Sequence, residues 1–446
     1  MKANWGLVVC SVVILVFSCF ASLAMAETYD DLGVLVEEAL QNNPDLHAAQ
    51  SRWQVYTNKT VSAKSLDDPV LGLALSNYPV DTFSDNQTPM TGKVIKLTQK
   101  FPFPGKLGAK EDVAEQQALW YRSLYEDNRL QIVRSVKESY YQLQYLDRAL
   151  EITQENLAIL DSFTRLTETR YETGKGLQQD VLKAYVERSK ILDRRLGFQQ
   201  QRDTTLAALN RLLGRSVTHS INPAPVSSVL PSSADVASLQ EKAQKSRPLY
   251  TAYQSLIDRY KGERRLAQLD YRPDFSIGAA YTVRERSKTD PGTDFFSAEF
   301  SMNLPLYRAK REAAVASADS GLRMAFEQYN DFRNGVEFNI QDAYNQTERA
   351  RQQILLYQSG LIPLGNQSYE SSMAAYQVGK IDFLSLLNNR LSLYQLELDH
   401  QRALADFWRS LARLEAESGV PQDTIDGLSK APNATEVSQQ EARTNP

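Results

Sequence analysis

The chain is written twice. Pro44 in NNPDLHAAQ returns as Pro248 in KSRPLYTAYQ, Pro69 in DDPVLGLAL as Pro273 in YRPDFSIGAAY, and Pro102 in QKFPFPGK as Pro305 in MNLPLYRAK. Further on, Tyr171-Glu172-Thr173-Gly174-Lys175 returns as Tyr376-Gln377-Val378-Gly379-Lys380, and Gly214 as Gly419. These landmarks keep their order at an offset of about 204 residues, the signature of an internal duplication. A fold assigned to one half must therefore serve the other. The repeats read as 27–214 and 239–419, joined by a Pro/Ser-rich connector over 215–238 and followed by a polar tail over 420–446 that reads as disordered.

Each repeat carries the same run of elements. A polar helix comes first, over about 30 to 66 and 234 to 270, and a β-hairpin follows, over 69–101 and 273–305. A very long helix then runs from about Gly105 to Tyr171 and from about Ala309 to Tyr376; about 70 residues give roughly 100 Å. In the first of these, Val136, Leu143, Leu150 and Leu157 recur every seven residues with Tyr140, Leu146 and Leu160 between them, a coiled-coil seam. Pro363 should interrupt or bend the second. Tips at 171–180 and 376–387 lead into return helices of about half that length, 177 to 213 and 381 to 417.

The hairpins alternate with period two. Phe296, Ala298, Phe300, Met302 and Leu304 are separated by Ser297, Glu299, Ser301 and Asn303, and Phe275, Ile277, Ala279, Tyr281 and Val283 by Ser276, Gly278, Ala280 and Thr282. Leu71, Leu73 and Leu75 alternate with small residues, and Ile95 and Leu97 lie opposite Lys96, Thr98 and Lys100, although Val94 falls on the polar face. Such strands either cover a soluble core or meet lipid. The helices here are polar with narrow apolar seams and offer little to cover a sheet, so the reading is lipid on one face and water on the other. The lipid-facing set is Leu71, Leu73, Leu75, Ile95, Leu97, Phe275, Ile277, Tyr281, Val283, Phe296, Phe300 and Met302, and the lumen-facing charges are Lys96, Lys100, Arg284 and Glu299. Four strands cannot stand in lipid with open edges, so copies must join. Two would give an eight-stranded barrel filled by side chains, whereas three give twelve strands and an aqueous bore.

Residues 1–26 combine a lysine, an apolar run from Leu7 to about Phe20 and Ala24-Met25-Ala26, and read as a secretory signal peptide cut after Ala26. The competing reading is a lipoprotein cut before Cys19, a site that Val16-Phe17-Ser18 fits poorly. Both cysteines, Cys10 and Cys19, precede Ala26, so no disulfide holds the rest. Beyond Ala26 no apolar run is long enough for a transmembrane helix. A net charge of −4 argues against nucleic acid as a partner. His47, His219 and His400 lack ligand spacing, so neither a resident metal nor a cofactor is expected, and no nucleophile sits beside a recognisable base. The chain reads as no enzyme.

The duplicated order of helix, hairpin, long helix, tip and return helix, with the tip sequences Tyr171 to Asp180 and Tyr376 to Leu387, resembles the TolC-like outer-membrane efflux protein family over nearly the whole mature chain. QKFPFPGKLGAK, Gln99 to Lys110, is similar to its CzcC-type heavy-metal branch. The resemblance implies an α+β membrane protein: a homotrimer whose twelve strands close one barrel in the Gram-negative outer membrane, with coiled-coil helical hairpins forming a periplasmic α-barrel. It implies a passive exit duct, docked on a periplasmic adaptor and an inner-membrane pump of the RND type, with heavy-metal cations as possible cargo. The adaptor-docking tips would be Thr173, Gly174, Lys175, Val378, Gly379 and Lys380. The periplasmic aperture would hold Tyr376 and Asp180, a hydrogen-bonded pair in TolC, while the acidic rings of TolC fall at Ser385 and Asn388, leaving Asp382 as a substitute. The alternative is a soluble periplasmic coiled-coil adaptor or scaffold, which has no use for lipid-facing strands.

Overall fold

A computed structural model of the chain describes residues 29–231 and 235–420. The leader, with Cys10 and Cys19, and the tail beyond Val420 lie outside the described residues. In chain order the elements are α1 (Leu32–Asn42), α2 (Pro44–Lys64), β1 (Val70–Ser76), β2 (Gly92–Phe101), α3 (Lys106–Glu172) and α4 (Gln178–Leu213). They continue with α5 (Val236–Ser246), α6 (Pro248–Leu269), β3 (Phe275–Val283), β4 (Phe295–Met302), α7 (Arg308–Leu356), a π-helical turn (Tyr357–Leu361), α8 (Ile362–Gln377) and α9 (Phe383–Ser418). The described residues form two compact units, one within 29–43, 132–231 and 345–413, the other within 44–131, 235–344 and 414–420.

The first unit is helical and packs on the seam. Val136, Tyr140, Leu143, Leu146, Leu157 and Leu160 are buried, and Leu150 is half-buried against them. Leu146, Leu157 and Leu160 belong to a cluster that takes in Ala184, Ile191 and Phe198 of α4, Tyr376 of α8, and Phe383, Leu386, Leu387, Tyr394 and Leu398 of α9. From Leu146 onward the seam thus shares a core with the return helices, the packing expected of knobs in holes.

Proline sets the helix ends. The single helices expected over about 30 to 66 and 234 to 270 are each two, because the residue before a proline is driven out of the helical region. Asn43 and Arg247 both sit at ψ 121°, directly before Pro44 and Pro248. Pro363 acts differently. It has no N–H and its ring would strike the carbonyl one turn back, and the chain meets this with the π turn that ends where α8 begins. There the Ile362 N–H donates to Tyr357 O, a five-residue step.

The second unit holds the sheet. β2 has ten residues and β3 nine, but β1 has seven and β4 eight. The short pair are the edges, which have a partner on one side alone within a single chain. β4 stops at Met302, before Leu304, and Asn303 donates its N–H to Asp274 O at 3.2 Å.

Candidate functional site

The four strands make one antiparallel sheet in the order β1-β2-β3-β4. Its register sets Leu71 opposite Leu97, Leu73 opposite Ile95, Ile95 opposite Tyr281, Tyr281 opposite Phe296, Ile277 opposite Phe300, and Phe275 opposite Met302. Leu75 and Val283 both pair with Lys93, which brings the whole apolar set onto one face. Most of that set is bare: Leu73 is 76% exposed, Phe296 74% and Phe300 61%. Burying a side chain of this size is worth about 1.5–3 kcal/mol, so a face of them left in water forgoes a large stabilisation. β1 and β4 also leave their outer backbone edges unpaired within the chain.

The opposite face is polar. Lys96 on β2 pairs with Glu299 on β4, reaching across β3 where Gly278 makes room. A Cβ at Gly278 would lie 3.3 Å from Thr98 Oγ1 and 3.5 Å from Lys96 Cε. Lys100 shares this face, opposite Ser276, and is exposed. Arg284 departs from expectation. It is 7% exposed, just past the end of β3, and does not present a free charge to a bore. Its guanidinium donates to Pro89 O of the first hairpin loop and to Thr293 O of the second, and pairs with Asp290 at 2.9 Å. Two chain reversals meet there, and the arginine joins them.

The tips lie at the other functional end of the sequence, in the helical unit. Gly174 and Gly379 have φ of +71° and +74°. Lys175 N–H donates to Arg170 O at 2.8 Å, and Lys380 N–H to Ala375 O at 2.9 Å, so both helices close in the same left-handed cap. A Cβ at either glycine would meet nothing within 4 Å, and Thr173 and Val378 are exposed beside them. Both caps therefore leave an open surface.

The aperture residues sort by helix chemistry. Asp382 is the N-cap of α9, its Oδ1 accepting the Ser385 N–H at 2.8 Å, and hydrogen bonds from Ser385, side chain first, hold its carboxyl below the usual range. The corresponding start of α4 has Leu177 at the cap, with no side-chain bond to give; instead Asp180, three residues in, accepts the Leu177 N–H. The two helices thus solve one problem with an acid on opposite sides of the first turn. Burial first, and the charge of Asp382 second, push the Asp180 carboxyl up. Ser385 and Asn388 are exposed. Tyr376 is buried against Phe383, and burial raises its phenol; within one chain it makes no hydrogen bond to Asp180 but sits under the Arg170 guanidinium, 4.2 Å from ring centroid to Cζ. Arg170 also donates to Tyr376 O and Gln377 O. Reading the sequence missed it; its one signal is a basic residue in the last turn before a glycine cap.

Among the described residues no group of three or more His, Cys, Asp or Glu side chains could hold a metal ion, and no helix is long and apolar enough to cross a membrane. Residues 35–215 match the family Outer membrane efflux protein. The match spans the first repeat. A relative, Outer membrane efflux protein BepC of Brucella suis biovar 1 (strain 1330), is 22% identical over 387 residues, covering 84% of this chain and 81% of its own. The outer membrane protein VceC of Vibrio cholerae superposes with a TM-score of 0.74 at 20% identity, over 87% of this chain and 96% of that one. The Campylobacter jejuni CmeC outer membrane channel gives 0.75 at 13% identity over 94% of each. The fold is that of the TolC-like outer-membrane channels: α+β, with long helical hairpins and, among the described residues of this chain, one four-stranded sheet.

Proposed function

We propose that this chain is a member of the outer-membrane efflux family and one subunit of a homotrimeric exit duct, with twelve strands closed into an outer-membrane barrel and the helices continuing as a periplasmic tunnel. The observation that carries this is the sheet itself, with one apolar face left bare and two edges left open. Lipid removes the first liability and neighbouring copies remove the second. A soluble adaptor would have to bear both in water. The relative named for outer membrane efflux and the likeness to outer membrane channels support the same reading. Transport is passive, with selectivity set by bore width and by charges such as Lys96, Lys100 and Glu299, while an adaptor meets Thr173, Gly174, Lys175, Val378, Gly379 and Lys380 and an inner-membrane pump supplies the energy. Heavy-metal cations are the proposed cargo, on the strength of Gln99 to Lys110 alone. Membrane fractionation with mild detergent extraction tests the assembly: trimers from the outer membrane are expected, and a monomer in the soluble periplasm refutes it. A deletion strain newly sensitive to divalent metals supports the cargo; sensitivity to organic toxicants alone removes it.

A further inference from the structure

Among the positions at which the two tips differ, one joins them. Arg170 in the last turn of α3 occupies the place that Ala375 holds in α8, since each accepts the cap hydrogen bond from the lysine five residues on. Alanine cannot reach the other hairpin, and arginine does. Arg170 Nη2 donates to Tyr376 O at 3.0 Å and to Gln377 O at 3.3 Å, and its guanidinium lies over the Tyr376 ring. Those carbonyls belong to the last turn of α8, at the negative end of its dipole, and Tyr376 O takes the arginine alongside the cap bond from the Gly379 N–H at 3.1 Å, so a cation there gains both bonds and field. The stem is fixed as well. A Cβ on Gly176 would come within 3.0 Å of Arg170 Cβ and 3.1 Å of its carbonyl carbon, so the turn after α3 folds back directly over the arginine.

We propose that Arg170 is a positioning residue that ties the two hairpin tips of one chain into a single body, so that in the assembled duct the tips move as pairs and the joints that yield lie between neighbouring chains. The second clause rests on the exit-duct reading; the tie does not. Lysine replaces it only in part, because an ammonium can donate to the carbonyls but has no flat guanidinium to stack on the ring.

No cysteine follows Cys19, so spin labels can be placed at Thr173→Cys and Val378→Cys and their separation measured in labelled chain diluted with unlabelled chain. One narrow distance is expected with Arg170 intact. In Arg170→Ala a longer distance should grow in population by about tenfold or more, the factor for losing a charge-assisted hydrogen bond, with Arg170→Lys between. Phe163→Ala, which hollows the adjoining core, should lower the melting temperature and leave the distance narrow. An unchanged distance in both arginine variants, or the same separation in Phe163→Ala, overturns the tie. Single-channel conductance separates the two readings: a purified protein that does not conduct at all refutes the duct, while the label distances still decide the role of Arg170.

Discussion

Gly174 and Gly379 show how little a tip residue needs to do for the fold, and in the proposed duct they are the surface offered to an adaptor. Their left-handed backbone is the reason for glycine, and since a Cβ would meet nothing, Gly174→Asp or Gly379→Asp should cost only the backbone term of about 1–2 kcal/mol. Folded assemblies with export abolished are expected, checked by detergent gel and toxicant resistance; normal resistance would remove the docking role. The two aspartates beside them make a pH test. A carboxyl held above its unfolded value binds its proton more tightly in the folded chain, so the share of stability from Asp180 is full below the ordinary aspartate range and is lost as pH rises through the folded value. Asp180→Asn keeps an acceptor for Leu177 and removes the buried charge. Its melting temperature should exceed the parent's at neutral pH, with the gap closing in acid. Asp382 runs the other way, its share present above the ordinary range and lost as pH falls through its lowered value, so Asp382→Ala should lower the melting temperature at neutral pH and less in acid. Glycine was legible in the sequence because its one physical property is the absence of a side chain. Arg170 was not, because its partners lie more than two hundred residues away and its chemistry exists only once two hairpins meet.

At the scale of elements, period and proline did most of the specifying. Alternation set which face of each strand is apolar, and the register of the pairs then aligned those faces across two hairpins separated by α3, α4, α5 and α6. The seven-residue seam likewise named the buried side of α3. What periodicity could not supply was any interruption that preserves phase. Pro44 and Pro248 split helices that the pattern ran together, and the turn at Tyr357–Leu361 absorbs Pro363 without breaking the run into α8. Arg284 was misplaced for a related reason: parity puts it on the polar face, but the strand has ended and two loops close over it. The strand faces can be tested singly. Phe300→Arg or Ile277→Arg should lose about 2–4 kcal/mol if the face meets the middle of a bilayer, seen as failure to recover assembled protein from membranes. Full assembly of both variants would mean that the face is solvated.

For the molecule as a whole, the two liabilities of the sheet and their joint removal form the central claim. Polar helices and a bare apolar sheet belong to one chain only if part of it sits in a different solvent, and open strand edges persist in lipid only if another copy pairs with them. Neighbouring residues on β4 give the most direct measurement. Phe300→Cys and Ser301→Cys, labelled separately in outer-membrane vesicles, should report opposite surroundings: the first quenched by a lipid-soluble reagent and closed to a membrane-impermeant thiol reagent, the second the reverse. Equal access of the water-soluble reagent to both positions would contradict a lipid-facing wall, and with it the duct.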